Sequence, residues 1–449
     1  MMRKNIGLLF LAVGHLCQAQ NGKEKVLTDY LRPAVFSLTM VMVHDVVNPP
    51  AACRYYTYAM LGAYDLVSAH DTAIARPSGF IQGFPKGEPD AGYDYKVAAA
   101  FSILETGRLM LPSGYRLEDE EQKFVELLKK QKWPQDIIDR SLEAGRKASA
   151  RVVAWSKGDH YNLLSAKLRY TPKRTDSTWY PTPPAYMEAV EPNWRIIRPV
   201  FIDSADQFIP PPPVSFSKDS ASTFYHLARA VYDVSKDTGA LSLRERTIAS
   251  FWDCNPFAIA TSGHMMIGLK KISPGGHWME IAGIASSAAG LDFDHTIQVQ
   301  TLVAATMMDA FISCWDEKYR TNRIRPETYI NRYIDVQWHP LLQTPPFPEY
   351  TSGHSVVSTA AAEVLTYLLG QQLDYTDDAE RLFDIQPRRF HSFRDAAAEA
   401  AISRFYGGIH YLDSIVNGQV EGKALAAYVV ALLAKAGVRP LRMSGLAVN

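Results

Sequence analysis

Three short stretches in the second half of the chain combine basic, hydroxyl and imidazole side chains at spacings suited to chemistry on a compact anion. In KYRTNRIRP, Lys318 and Arg325 stand seven apart and Pro326 follows. Proline biases the residue before it away from helical geometry, so the pair is predicted to straddle a helix end and its exit loop. In TSGHSVV, Thr351 or Ser352 suits the N-cap of the helix-forming run that follows, which puts Gly353 and His354 in its first turn. Unpaired backbone N–H groups and the positive end of the helix dipole gather there and favour an anion. In SRFYGGIHY, Arg404 and His410 lie six apart across Gly407-Gly408. The glycines permit a sharp turn between two helices, so that both side chains can face one pocket. Basic pairs on helices are usually solvated and capped histidines usually structural, so each stretch alone is weak evidence.

Together the stretches supply three positive charges, the neutral donors of Ser352 and the Gly353 N–H, and two histidines. That set suits a tetrahedral oxyanion such as phosphate or vanadate. One histidine would attack or coordinate the central atom while the other moves protons. In this order, Lys318-x6-Arg325-Pro326, Ser352-Gly353-His354 and Ser403-Arg404-x5-His410 resemble the three-part signature of vanadium-dependent haloperoxidases and type 2 phosphatidate phosphatases. Further likeness is to the haloperoxidase branch. Trp315 and Phe347 match aromatic residues of its halide pocket, FPEYTSGH resembles its FPxYPSGH, and FWDCNP and SPGGHWMEIA resemble segments of secreted bacterial members.

The resemblance implies an enzyme that oxidises halide with hydrogen peroxide to hypohalous acid, with vanadate as cofactor. By the same token His410 coordinates vanadium, while Lys318, Arg325, Arg404, Ser352 and the Gly353 amide hold the oxygens. His354 is the acid/base, Lys318 polarises peroxide, and Trp315 and Phe347 line the halide pocket. Asp253 is expected to pair with Arg404, a helix-capping role being its alternative. The same residues would serve a soluble secreted acid phosphatase, with phosphate in the site, a phosphomonoester as substrate and His410 as the nucleophile forming a phosphohistidine. Two positions depart from the pattern. Thr351 stands where relatives usually have proline, and Asp413 follows His410 by three residues where many relatives carry an acid at four. The offset weakens the claim of Asp413 to orient His410.

The string TSGH also occurs at Thr261 to His264. No Lys-x6-Arg-Pro precedes that copy and MMIGLKK follows it, so His264 is assigned to structure and His354 to the site.

Helices must position these groups. In KVLTDYLRPAVFSLTMVMVHDVV and IQVQTLVAATMMDAFISCWDEKY, apolar residues recur at three- and four-residue spacing, and strand-like alternation is scarce. The expected fold is all-α, a large protein of two helical bundles with the active site in the C-terminal one. Residues 20–170 form the N-terminal lobe, 171–215 a proline-rich connection, and 216–449 the haloperoxidase/phosphatase-type domain. The connection holds ten of the 27 prolines, so it must run extended, and its tryptophans and tyrosines predict packing against the body. Residues 1–19, with Arg3-Lys4 before a short apolar run and Cys17-Gln18-Ala19 at its end, read as a cleaved signal peptide, implying a secreted or periplasmic location. Beyond it no apolar run approaches 18 residues, so no transmembrane segment is expected. The 449 residues carry 47 basic and 47 acidic side chains, a balance that points to neither nucleic acid nor an anionic membrane. Cys53, Cys254 and Cys314 remain after cleavage, spaced for at most one bridge.

Overall fold

The computed structural model describes residues 4–87, 91–235, 242–262, 265–268 and 270–441, without the side chains of 4–21, 235, 260–262, 265 and 266. The expected signal segment, residues 1–19, and His264 fall outside what is described in side-chain detail. Thirteen helices occur among the described residues: α1 (Lys4–His44), α2 (Pro49–His70), α3 (Tyr95–Met110), α4 (Glu118–Lys130), α5 (Gln135–Ser156), α6 (Thr223–Ser235), α7 (Leu243–Phe251), α8 (Pro274–Ala288), α9 (Phe293–Thr321), α10 (Pro326–Tyr333), α11 (Gly353–Leu369), α12 (Phe393–Tyr406) and α13 (Leu412–Lys435). Two small antiparallel hairpins interrupt them, β1 (Ile259–Ser262) with β2 (Met265–Gly268), and β3 (Tyr375–Asp377) with β4 (Arg388–Phe390). Thr261 and Ser262 of the first TSGH therefore lie on a strand, whereas the second copy starts a helix.

Helix α9 is the axis of the molecule. Asp292 caps it by accepting the His295 N–H, and Asn322 ends it in the left-handed region at φ 51°. Nearly every side chain from Phe293 to Lys318 is buried, and the helix packs against α1, α2, α8, α11 and α13. One apolar cluster runs from Leu27 to Val438, taking residues from both halves of the chain. Two segments, Gly22–His44 and α9 itself, are long and apolar enough to cross a membrane, which corrects the expectation that no such run exists beyond the signal. Enclosure by the other helices accounts for α9, which is wholly buried; Gly22–His44 is half buried.

The proline-rich connection lies along α9 and its exit. Trp179 and Trp194 are buried. The Trp179 N–H donates to the Asn322 carbonyl and the Ile324 N–H to that of Ser177. Further on, the Asp309 carboxylate on α9 accepts the backbone N–H groups of Val200, Phe201 and Ile202 at 2.7, 2.7 and 3.0 Å. A segment with few donors of its own is thus fixed by partners on the helix it covers.

Candidate active site

Each chemical group sits at the end of a helix, where the local sequence places it. Lys318 is in the last turn of α9. Arg325 is the N-cap of α10, with the extended backbone (φ −78°, ψ 153°) that Pro326 enforces. Ser352 caps α11 by accepting the Ser355 N–H, which leaves its hydroxyl proton free to donate, and Gly353 and His354 open that helix. Arg404 lies in the last turn of α12. Gly408, at φ 77°, turns the chain so that His410 precedes α13; a side chain there would also crowd Pro340 at 3.1 Å.

These ends converge. Trp315, Phe347, Gly353, His354, Arg404 and His410 line one pocket. Lys318 Nζ lies 5.1 Å from the Phe347 ring centre and 5.7 Å from that of Trp315, and Arg325 Nη1 is 3.1 Å from His410 Nε2. Phe311 and Trp315 pack edge to face, and Trp315 and Phe347 ring centres are 4.9 Å apart, so one wall is aromatic.

All three cations are buried, yet apart from the His410 ring beside Arg325 their partners are carbonyl groups. Lys318 donates to the carbonyls of Pro348 and Glu349 at 3.2 Å and to that of Thr351. Arg325 donates to Phe347 and Ile409, both at 2.9 Å, and Arg404 to Trp252 at 2.9 Å. Among the described residues no carboxylate forms an ion pair with any of them. A buried ion without a counter-ion costs several kcal/mol, so an anion is strongly favoured here. Burial brings Lys318 down to about 8 and Arg325 to about 10, and lowers Arg404 as well. Arg325 Nη2, Arg404 Nε and His354 Nε2 are buried without a hydrogen-bond partner.

The two histidines are held as neutral rings. Burial, then the charges of Arg325, Lys318 and Arg404, push His410 well below the usual histidine range. Burial, then Arg404 and His410, do the same to His354, opposed by a hydrogen bond with the Trp252 backbone. His410 Nδ1 donates to Glu349 Oε1 at 2.8 Å, and the Tyr411 N–H reaches the same oxygen at 3.1 Å. This network assigns the proton to Nδ1 and leaves the Nε2 lone pair toward Arg325 and the pocket.

Glu349 is thus the orienting acid, which sequence reasoning missed although it stands inside FPEYTSGH. Asp413 instead pairs with Arg323 at 2.9 Å and accepts the Val214 N–H; Arg323 in turn lies 3.3 Å from Glu349 Oε2. Asp253 also departs from expectation. Its carboxylate receives Lys271, and Arg404 bonds to the neighbouring Trp252 carbonyl, with Asp253 acting on it only through space. Thr351 is accommodated because its hydroxyl donates to Glu421 on α13 at 2.7 Å.

The family model described as the VCPO second helical-bundle domain matches residues 298–436, which span every one of these anion-site groups. The crystal structure described as the first bacterial vanadium-dependent iodoperoxidase is 40% identical, with a TM-score of 0.85, over 90% of this chain and 96% of that one. The chain belongs to the vanadium-dependent haloperoxidase family. Holo-type and apo-type structures of a bacterial vanadium-dependent chloroperoxidase share the fold, both at a TM-score of 0.63, with 12% and 13% identity over 88% and 87% of this chain and 93% and 94% of those. Comparison with curated proteins gives no match. The candidate site residues of this family member thus come from α9, α11, α12 and the loops before α10, α11 and α13.

Proposed function

We propose that this chain oxidises halide with hydrogen peroxide, releasing hypohalous acid, with vanadate as its cofactor. The observation that carries the reading is the set of three buried cations with carbonyls and the His410 ring as partners and no carboxylate, with the unpartnered Arg325 Nη2, Arg404 Nε and His354 Nε2 beside them. An oxyanion satisfies those donors and supplies the missing negative charge. Arg325, Arg404, Ser352 and the Gly353 N–H would hold vanadate oxygens and His410 Nε2 the vanadium, while Lys318, whose three N–H groups donate to carbonyls, would add its positive charge unless it exchanged one of them for an oxygen of the anion. When bound, vanadate supplies a Lewis-acidic centre that activates peroxide without changing its own oxidation state.

The protein's share is charge, orientation and water exclusion. Glu349 keeps the proton on His410 Nδ1, so Nε2 meets the cofactor as a lone pair. The cations are fixed by backbone carbonyls before any ligand arrives, so they need little reorganisation as charge shifts. His354, which burial and the nearby charges favour as a neutral ring, can accept a proton at Nε2 from peroxide and return it to the departing oxygen; a bound anion makes that protonation easier. Phe311, Trp315 and Phe347 give the halide a wall that strips its hydration.

Vanadate-loaded protein assayed with iodide, bromide and peroxide tests this, iodide first because the 40% identical structure is an iodoperoxidase. Halide oxidation should depend on added vanadate and vanish in His410→Ala. Protein that oxidises no halide when loaded with vanadate, and that hydrolyses a phosphomonoester only when vanadate is left out, would overturn the reading in favour of a phosphatase.

A further inference from the structure

Below the anion pocket, Cys254, His277 and Glu380 bring three ligand atoms into one buried space. Cys254 Sγ is 3.3 Å from His277 Nδ1 and 3.7 Å from Glu380 Oε1, and Nδ1 is 3.2 Å from the same Glu380 oxygen. On the other side of the ring, Nε2 is 2.8 Å from Asp377 Oδ2. All four side chains are at most 2% exposed. They come from distant parts of the chain: the exit of α7, the start of α8, the end of β3 and the turn Ala379–Phe383.

These separations can be compared with the edges of a tetrahedral zinc site. Zinc bonds of about 2.3 Å to sulfur and roughly 2.0–2.1 Å to nitrogen and oxygen give edges of about 3.5 Å for S–N, 3.3 Å for N–O and 3.5 Å for S–O. The three observed distances lie within about 0.2 Å of those values. Asp377 stands where a carboxylate orients a metal-bound imidazole, on the N–H away from the ion. A thiolate, imidazole and carboxylate together suit zinc better than calcium or magnesium. Cys254 also lines the anion pocket, which provides a route of entry.

We propose that Cys254, His277 and Glu380 form a zinc site, with Asp377 orienting His277 and a fourth position left for water. The charge arrangement supports it. Without metal, His277 protonated on both ring nitrogens would meet Asp377 at Nε2 and Glu380 at Nδ1. One imidazolium and two carboxylates leave a net charge of one negative unit. Zinc with a neutral imidazole, a thiolate and two carboxylates leaves the same. A dication can therefore replace two protons with no change in the buried charge. Trp252 stacks on His277 at 4.6 Å, and its carbonyl holds Arg404. Metal on Cys254 would thus tie down the backbone that positions Arg404 and His354.

None of the four side chains is among those that would hold vanadate, so the site can be tested without loading the anion pocket. Full-length protein equilibrated with zinc or cobalt(II), then freed of excess, should retain one equivalent by mass spectrometric metal analysis, with vanadium counted separately. The cobalt form should show a thiolate-to-cobalt charge-transfer band that Cys254→Ser abolishes. Asp377→Asn should bind zinc about 10- to 100-fold more weakly, as loss of such outer partners does elsewhere. Wild-type protein that retains no zinc, or a cobalt spectrum without the thiolate band, overturns the proposal even if the variants fail to fold.

Discussion

At the scale of single residues, the site is governed by where protons and charges sit before a ligand binds. Glu349→Gln keeps the size of the side chain but no longer fixes the His410 tautomer. Vanadate affinity should fall about 10- to 100-fold, the usual effect of losing such a partner, as read by vanadate titration. Lys318 leads to a pH prediction. Its folded value is about 8, against about 10.4 for lysine in an unfolded chain. Between these values the unfolded chain binds a proton that folded Lys318 has released, so the contribution of this residue to stability rises as pH increases from about 8 to 10, against the opposite contribution of the buried Cys53, Cys254 and Cys314, whose thiols burial pushes up. The urea midpoint of the wild type relative to that of Lys318→Met should therefore increase from about pH 8 to about pH 10. The motif residues were legible because lysine, arginine, histidine, proline and glycine mark helix ends as well as chemistry. The Glu349–His410 bond was not, since its partners are 61 positions apart and only the approach of the α11 and α13 entries brings them together. Asp253 failed for the related reason that a nearby lysine, Lys271, competes for it.

Among the elements, α9 and the segment over it decide whether the pocket keeps its shape. Helical periodicity read correctly, and glycines mark two of the ends: α11 stops at Leu369 before Gly370, and Gly437, at φ 95°, closes α13. The packing of the proline-rich connection was legible from its aromatic content, but its anchor was not, because nothing near Asp309 in the sequence reveals which backbone it will meet. Asp309→Ala leaves three buried N–H groups unpaired, at about 1–3 kcal/mol each. Stability should drop by on the order of 3 kcal/mol or more, seen as a lower denaturant midpoint. The connection also meets the site directly, since the Val190 carbonyl accepts the Trp315 indole N–H at 3.1 Å. Loosening it should therefore disturb the aromatic wall as well.

For the whole molecule, the shared apolar cluster matters more than the order of segments along the chain. Helix α9 carries Lys318 but packs against α1 and α2 as well as α11 and α13. Residues 216–449 expressed alone would contain every anion-site group and yet expose the face of α9 that α2 covers. Such a fragment should lack the near-ultraviolet circular dichroism of fixed aromatic packing and should not bind vanadate; a fragment that does both would show that the C-terminal half folds by itself.

The loop from Pro345 to Gly353 joins several tasks in nine residues. Phe347 faces the pocket, Glu349 sets the His410 tautomer, the carbonyls of Pro348, Glu349 and Thr351 hold Lys318, and Ser352 starts α11. These tasks share one backbone, so halide preference and cofactor affinity cannot be tuned separately from within it: a change that moves Phe347 also moves the groups that hold the anion. Asn255 and Phe257 also line the pocket without holding any of the three cations, so substitutions there should change halide preference with less effect on vanadate affinity, as read by comparing iodide and bromide oxidation with a vanadate titration.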